Sequence, residues 1–476
     1  MSDKHYLSQL VVGGERVDGG EFETLREKFA GKAFGKMAVA SPEQIDLAVY
    51  GAQKAFERNR LEPVERFEVL TRAASLVSEW SEEFYELIIN ETGFTRVDAE
   101  NEVRRCVQTL QLSAEEAKRL SGQMVPMDAT RGLLTRLGFT VLVPRGVVCA
   151  ITPYNSPLNT VAHKIGPALA GGNSVVLKPS EFTPLTASLL CQAFYDAGLP
   201  AGLLSLLHGP GKTTGRALLA DPRIAYYTFT GSTRVGKEIQ QAAGLRGTQL
   251  ELGSIASTII CHDADLEVAV SKLMSACFRK AGQVCTSVQR VLVDRSIYAQ
   301  FVEKLVASAA KIPFGDPLNS HTVVGPMITL DHAQRAERWI TEAVEAGARV
   351  LLGGTREGSV VAPTILENVS ADMKVVCEEI FAPVVSIMPF VSLDEAVRQA
   401  NGTPFGLAVG LFTRDISTAL RTAKLLDFGG IHINETSSSR VDVMPFGGVK
   451  DSGFGREGPR YAVREMMEER LVTISY

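Results

Sequence analysis

From residue 43 to 120, apolar and charged positions alternate at helical spacing, as in Glu65-Arg66-Phe67-Glu68-Val69-Leu70-Thr71-Arg72-Ala73-Ala74, with no strand-like run. Apolar side chains recurring every three or four residues fall on one face of a helix, so the stretch predicts a helical layer. From about residue 141 the pattern changes to short β-branched runs between helices. Gly146–Ile151 and Ser174–Lys178 read as strands, a helix follows around Ala187 to Ala197, and Leu203–Leu207 reads as the next strand. Strands spaced in this way predict βαβ units of a parallel sheet. A second alternation begins after Glu251, with candidate strands Thr258–Cys261 and Arg290–Asp294 and long helices from about Ile297 to Lys311 and Leu330 to Ala346. It predicts a second α/β unit. Two strand-like runs, Gly132–Val143 and Glu469–Ser475, stand apart from both sheets and are expected to pair with each other or with another subunit.

A chain of 476 residues exceeds one ordinary core and predicts two or three domains. Its 45% hydrophobic and 22% charged residues match folded globular proteins and exclude disorder. A net charge of -5 and a pI near 5.9 argue against nucleic acid, whose phosphates need clustered Lys and Arg, and favour a small-molecule partner. The seven cysteines form no CxxC pair, so neither a disulfide framework nor a bound metal is expected, and a reducing cytoplasm fits them. The start Met1-Ser2-Asp3-Lys4-His5-Tyr6 carries no signal-like run, and no stretch reaches the roughly 18 apolar residues of a membrane span. A soluble, unprocessed chain without a membrane partner is expected.

Chemistry concentrates at three places. Cys285 lies in Gly282-Gln283-Val284-Cys285-Thr286, a small polar setting that leaves the sulfur reachable, unlike Cys277 beside Phe278 or Cys191 inside an apolar helix. A free thiol titrates at about 8.5 and needs a base or a lowered pKa to attack near neutrality; a buried inert cysteine is the plain alternative. Glu251, in Gln249-Leu250-Glu251-Leu252-Gly253, is framed by leucines that would raise a carboxyl pKa towards that of a general base; the alternative is an edge-strand carboxylate in water. Asn155, in Thr152-Pro153-Tyr154-Asn155-Ser156-Pro157, sits on a loop stiffened by proline, where an amide is aimed without reorganising, or simply makes a turn.

Cofactor signals are individually weaker. Lys178-Pro179-Ser180-Glu181 ends a strand, where open α/β sheets bind ligands, and a glutamate there suits ribose hydroxyls and repels a 2′-phosphate. The Gly-Lys-Thr of Gly209-Pro210-Gly211-Lys212-Thr213-Thr214-Gly215 is no Walker A loop, because Leu206 stands where its first glycine is required. Phe229-Thr230-Gly231-Ser232-Thr233 precedes a helix, so Gly231 and Ser232 could offer donors to a pyrophosphate or merely cap that helix.

In this order, Thr152-Pro153-Tyr154-Asn155, Lys178-Pro179-Ser180-Glu181, Phe229-Thr230-Gly231-Ser232, Glu251-Leu252-Gly253, Gly282-Gln283-Val284-Cys285, Glu378-Glu379-Ile380-Phe381 and Pro445-Phe446-Gly447-Gly448-Val449-Lys450-Asp451-Ser452-Gly453 resemble the NAD(P)-dependent aldehyde dehydrogenase superfamily from about residue 40 onwards. The resemblance implies an α/β fold with a Rossmann-like cofactor domain over 1–125 and 145–250, an α/β catalytic domain over 251–455, and a small β oligomerisation extension over 126–144 and 456–476. It implies a homodimer or homotetramer. Cys285 is then expected to attack the aldehyde, Asn155 with the Cys285 N–H to hold the oxyanion, Glu251 to activate the water that hydrolyses the thioester, and Lys164 to relay protons. Lys178 and Glu181 are expected at the adenosine ribose, Gly231 and Ser232 at the pyrophosphate, and Glu379 with Phe381 at the nicotinamide ribose. Ile151, Thr152, Pro153, Tyr154, Ser180, Gly211, Gly215, Phe229, Leu252 and Gly253 complete the expected cofactor contacts. Glu181 followed by bulky Phe182 favours NAD over NADP.

Two departures from the family pattern stand out: Ser254-Ile255-Ala256 after Glu-Leu-Gly, and Ala382 in place of a usual glycine. The stretch Asn434-Glu435-Thr436-Ser437-Ser438-Ser439-Arg440-Val441-Asp442 resembles the substrate loop of relatives acting on small hydroxylated or anionic aldehydes, including lactaldehyde, non-phosphorylating glyceraldehyde-3-phosphate and phosphonoacetaldehyde dehydrogenases. Arg440 is the expected clamp for a carboxylate or phosphate, with Arg105 as a second; a structural salt bridge is the alternative for each. Val284 beside the nucleophile weakens the anionic reading, since some such relatives place arginine there. A short semialdehyde or hydroxyaldehyde is expected, with an apolar or aromatic aldehyde, a CoA-acylating reaction or a non-catalytic relative as alternatives.

Overall fold

The computed structural model describes residues 5–476. The helical layer is α1 (Pro42–Arg58), α2 (Pro63–Glu79), α3 (Ser81–Thr92) and α4 (Arg96–Ala117). Its starts are chemically marked. Ser41 and Gln44 form a capping box with Pro42 at the first turn of α1, and Thr95 with Asp98 forms another ahead of α4. α4 buries Ala99, Glu102, Val103, Cys106, Leu110 and Ala114 against α2 and α5 (Asn159–Ala170), a three-to-four-residue stripe with one carboxylate in it.

That layer covers an eight-stranded sheet whose centre is parallel: β1 (Val147–Ile151), β2 (Ser174–Lys178), β3 (Leu204–Leu206), β4 (Ile224–Thr230) and β5 (Gly247–Glu251). The spatial order is β5-β4-β1-β2-β3, with Leu10–Val12 antiparallel to β3 and Gly453–Phe454 antiparallel to β5. β2 is buried along its whole length, as a strand covered on both faces must be. The chain runs outward from β1 through β2 to β3, then returns to the other side of β1 for β4. This reversal opens a crevice beyond the carboxyl ends of β1 and β4, the position where such sheets take ligands.

The second sheet has seven strands. Its centre is β6 (Ala256–Ile260) beside β7 (Val288–Asp294), with Ala408–Phe412 and Gly430–Ile433 on one flank and Val384–Phe390, Thr364–Glu367 and antiparallel Arg349–Leu352 on the other. Helices α6 (Pro184–Asp196), α7 (Thr233–Ala243), α8 (Leu266–Phe278), α9 (Tyr298–Ala309) and α10 (Leu330–Glu345) complete the pieces that frame the site. The two stray runs do pair with each other: Arg136–Pro144 and Met467–Ser475 form nine antiparallel residue pairs, with Met124–Val125 on the far edge.

Several strands had no sequence signal. Leu10–Val12 and Glu15–Val17 form a hairpin around Gly13 and Gly14, and Tyr6–Ser8, Glu21–Arg26 and Ala33–Val39 form a three-stranded sheet. Two segments also cross the expected boundaries. Gly453–Phe454 joins the first sheet, and the helix Pro459–Glu465 packs on α4 and α5 rather than in the three-stranded extension. Among the described residues no helix is long and apolar enough to cross a membrane.

Candidate active site

Beyond Ile151 the chain leaves β1 through Thr152-Pro153-Tyr154-Asn155-Ser156-Pro157, where two prolines fix the backbone. Asn155 Nδ2 donates to the Gln283 carbonyl at 2.9 Å, which ties this loop to the segment carrying Cys285. That segment is strained. After α8 ends at Phe278, Lys280 (φ 53°, ψ 32°) and Ala281 (φ 53°, ψ 38°) are left-handed, followed by Gly282 at φ 68°. Left-handed backbone costs a non-glycine residue about 1–3 kcal/mol and persists where surroundings hold it. At Gly282 even a methyl group is excluded, since a Cβ would lie 2.2 Å from the Ala382 carbonyl oxygen.

Cys285 is half-buried on the wall of a cavity of about 250 Å³, together with Asn155, Glu251 and Glu457. Burial pushes its thiol up to about 12; Arg440 opposes the rise, and Glu251, Glu379 and Glu457 add to it. The resting group is a neutral thiol that needs a proton acceptor.

Glu251 ends β5 with 3% of its surface exposed, and neither carboxylate oxygen has a hydrogen-bond partner among the described residues. The water-facing alternative is corrected: β5 lies between β4 and Gly453–Phe454, and the bare face of Gly447 packs against the carboxylate. Burial first, then the charge of Glu457, holds the Glu251 carboxyl well above its ordinary range, against Lys164, Arg440 and Arg456. Glu457 is also buried, but Lys164 and Arg440 draw it below that range. Two carboxyls pushed apart in this way can hold different protonation states in one cavity.

The basic residues divide by what they touch. Lys164 is fully buried behind Glu457, donating to its Oε1 at 3.0 Å and to Thr228 at 3.1 Å, and it does not line the cavity. Arg440 donates to Glu457 Oε2 at 2.7 Å and stacks 3.8 Å from the centre of the Phe446 ring. Arg105 is held at both ends of its fork by Asp442, at 2.6 and 3.1 Å, and Asp442 also takes His163 Nε2 at 2.8 Å and Asn159 Nδ2 at 3.1 Å. The salt-bridge alternative holds for Arg105 and Arg440: both line the cavity, and each is paired to a buried carboxylate. Arg279 differs. Its Nη2 donates to the neutral Ser438 hydroxyl at 2.7 Å, it has no ion pair among the described residues, and it faces both this cavity and an outer one of about 970 Å³.

The other end of the cavity is lined by Pro153, Tyr154, Gly231, Ser232, Leu252, Gly253, His332, Arg335, Glu379 and Phe381. Ser232 caps α7, accepting from Val235 N, so the capping alternative holds while Gly231 still lines the cavity. The Tyr154 ring meets Phe381 and His332 edge-on, at 6.2 and 6.4 Å between centres. Glu379 is pushed up to about 7 by burial, against the Ser254 N–H that donates to it at 2.9 Å. The divergent Ser254 thus supports this carboxylate through its backbone. A helix N-terminus at the switch-point crevice, a bare Gly231, aromatic walls and a buried acceptor form a donor and acceptor set that fits a nicotinamide dinucleotide.

Ile151, Thr152, Lys178, Ser180, Glu181, Gly211, Gly215 and Phe229 lie outside this cavity wall. Lys178 is buried at the end of β2 beside Gly215, Glu181 is exposed just beyond, and the Thr152 hydroxyl is buried without a partner among the described residues. Sequence reasoning passed over Glu102, Arg279, Lys280, His332, Arg335, Asp442 and Glu457. Glu102 carried a signal, a charge on the apolar stripe of α4; Arg279-Lys280 was a basic pair directly after the apolar Ala276-Cys277-Phe278.

The profile described as "Aldehyde dehydrogenase family" matches residues 17–472. The chain is 46% identical to a 3-sulfolactaldehyde dehydrogenase of Priestia megaterium, over 98% of this chain and 99% of that one. Among solved structures it is similar to aldehyde dehydrogenase 21 from Physcomitrella patens in complex with the reaction product succinate, with a TM-score of 0.96, 33% identity and 99% of each chain covered. It is also similar to a glyceraldehyde-3-phosphate dehydrogenase from Methanocaldococcus jannaschii complexed with NADP, with a TM-score of 0.92, 37% identity, and 96% of this chain and 100% of that one covered.

Proposed function

The chain belongs to the aldehyde dehydrogenase family, and on that premise we propose that it oxidises a small anionic aldehyde to the carboxylic acid, with Cys285 as nucleophile. One observation carries the reading: a half-buried thiol, an amide donor and an unbonded buried carboxylate line one cavity. Cys285 attacks the aldehyde carbon while the oxygen takes its charge against Asn155 Nδ2, whose second N–H is left over from the bond to Gln283, and the Cys285 N–H. Arg440 favours the thiolate, and Glu251 has free lone pairs to take a proton. Pro153, Tyr154, Gly231, Ser232, Gly253, Glu379 and Phe381 would hold a dinucleotide, with Lys178 and Glu181 at its adenosine end. When bound, its nicotinamide supplies the acceptor for the hydride that leaves the aldehyde carbon. Glu251 then takes a proton from the water that cleaves the thioester. Lys164 reaches Glu457 and not the cavity.

The substrate's anionic group is assigned to Arg279, which has no ion pair among the described residues and, through Ser438 and Thr286, lies beside Cys285; Arg335, likewise without an ion pair, bonds the Ile380 carbonyl next to Glu379 and Phe381 instead. A relative named for 3-sulfolactaldehyde and a solved structure in complex with succinate support an anionic substrate. Against a panel of aldehydes followed by NADH absorbance, with Cys285→Ala as blank, anionic substrates are expected to be preferred. Arg279→Met should raise KM for them about 10- to 100-fold, the worth of one or two charge-assisted hydrogen bonds, and leave neutral aldehydes of the same length nearly unchanged. Equal losses on both kinds would remove Arg279 from recognition.

NAD is the preferred cofactor in this reading, because exposed Glu181 with Phe182 behind it opposes a 2′-phosphate. Glu181→Ser is expected to raise kcat/KM with NADP about tenfold or more, since a like charge nearby costs on the order of 1–4 kcal/mol. A parent enzyme already more efficient with NADP overturns the preference. The same reading divides the chain into a cofactor unit, a catalytic unit and the three-stranded extension. The open edge of Met467–Ser475 supports assembly into homo-oligomers, and the cysteines support a cytoplasmic location.

A further inference from the structure

We infer that the buried Lys280–Glu102 pair is a positioning device, holding the strained Cys285 segment against the Asn155 loop so that nucleophile and oxyanion donor stay in register. The inference rests on the reading of Cys285 and Asn155 in the proposed function. Lys280 Nζ donates to Glu102 Oε1 at 2.7 Å and to the Asn155 carbonyl at 2.9 Å, and lies 4.9 Å from the centre of the Phe94 ring. Glu102 in turn accepts from Ser156 Oγ at 3.0 Å and from the backbone N–H groups of Asn159 at 3.1 Å and Leu158 at 3.4 Å. One carboxylate on α4 therefore binds the loop after β1, the start of α5 and the segment carrying the nucleophile.

Asn155 is gripped at both ends. Its carbonyl accepts from Lys280, and its amide donates to the Gln283 carbonyl. The Gln283 N–H and Nε2 both donate to the Lys280 carbonyl at 3.1 Å, which closes a ring of contacts through 280, 155 and 283. This ring is what opposes relaxation of the left-handed backbone at Lys280 and Ala281. Lys280 touches the Asn155 carbonyl and not its amide nitrogen, so it acts on the reaction through Asn155 and is not itself a catalytic residue.

A purely structural role explains the pair poorly. Lys280 is 4% exposed and Glu102 is fully buried, and two such charges seldom add net stability over well-packed apolar side chains. The Glu102 carboxyl nonetheless stays ionised: burial works to raise its pKa, but Lys280 and Arg105 bring it below the ordinary value.

The test uses Lys280→Met, Glu102→Gln and the double variant, each normalised to enzyme that binds NAD. Single-turnover NADH formation is expected to fall about 100-fold, as for a misplacement near 1 Å, with KM for NAD little changed. Asn155→Ala, expected to cost about 10²- to 10³-fold in the parent, should cost less than about tenfold more in the Lys280→Met background, because the amide is already out of place. Should the single variants fail to fold, the double variant carries no lone buried charge and is measured in their place, with the same loss expected. Parent-like turnover in folded Lys280→Met or in the double variant overturns the inference, as does a full Asn155→Ala penalty in that background. Turnover by Cys285→Ala in the parent sinks the nucleophile reading instead, which separates the two failures.

Discussion

Cys285→Ala is expected to lower aldehyde-dependent reduction of the dinucleotide on the order of 10⁴-fold or more, with dinucleotide affinity kept within about threefold. Nothing else in the chain can replace that sulfur. Cys106, Cys149, Cys191, Cys261 and Cys277 are buried, with thiols raised by desolvation, and Cys377 sits on the short helix Lys374–Cys377 outside the cavity wall. A second readout comes from the thiol itself. Because burial raises Cys285 to about 12, its alkylation by iodoacetamide in the free enzyme should be slow near neutrality and accelerate steadily with pH. Mass spectrometry would locate the adduct, and loss of turnover should follow its formation one for one. If Cys285→Ala keeps more than about 1% of parent turnover, the nucleophile lies elsewhere and the reaction assigned to this cavity fails.

The parts of this enzyme that were legible in the chain are those written by local pattern. Ser174–Lys178 reads as a strand because every residue is covered on both faces and no alternation is needed, and its observed limits are the same. Gly132–Val143 and Glu469–Ser475 were visible as strand-like runs apart from both sheets, and the strands that form there, Arg136–Pro144 and Met467–Ser475, become each other's partner. The residues around the nucleophile resisted reading for a physical reason. Lys280 meets Glu102 across 178 positions, and Arg105 meets Asp442 across 337, so the burial that makes those charges consequential is created only by the tertiary fold. Arg440 shows the cost: its type and place suggested a clamp, but Glu457, seventeen residues on, already takes one nitrogen of its guanidinium. The pairing of each guanidinium within the folded cavity, rather than residue type along the chain, is what leads us to propose Arg279 for the substrate's anion.

Glu251→Gln should separate the two halves of the reaction. The amide keeps the size of the carboxylate but cannot accept a proton from water, so the first turnover should proceed while hydrolysis of the thioester slows on the order of 10³-fold, within the range a general base contributes. The expected signature is a burst of one equivalent of NADH per site followed by a nearly flat line. In the parent, the Glu251 carboxyl lies well above the ordinary carboxylate range because of burial and the neighbouring Glu457 charge, so the active, ionised form gains population as pH rises through that raised value. The steady-state rate should therefore fall on the acid side of it, and the variant should lose that limb. Stability provides the control. A carboxyl whose pKa is raised by folding contributes stability below its unfolded pKa and loses it as pH climbs through the folded value. Above that raised folded value the contribution is lost in the parent, so Glu251→Gln should melt no lower there, and a slow variant cannot be dismissed as an unfolded one. Supplying CoA tests the remaining route for the thioester. If acyl-CoA formation restores parent rates, the deacylating partner in this cavity is a thiol and not water, and the role given to Glu251 is wrong. If the variant shows no burst at all, Glu251 is needed before the thioester exists, and its place moves to deprotonation of Cys285.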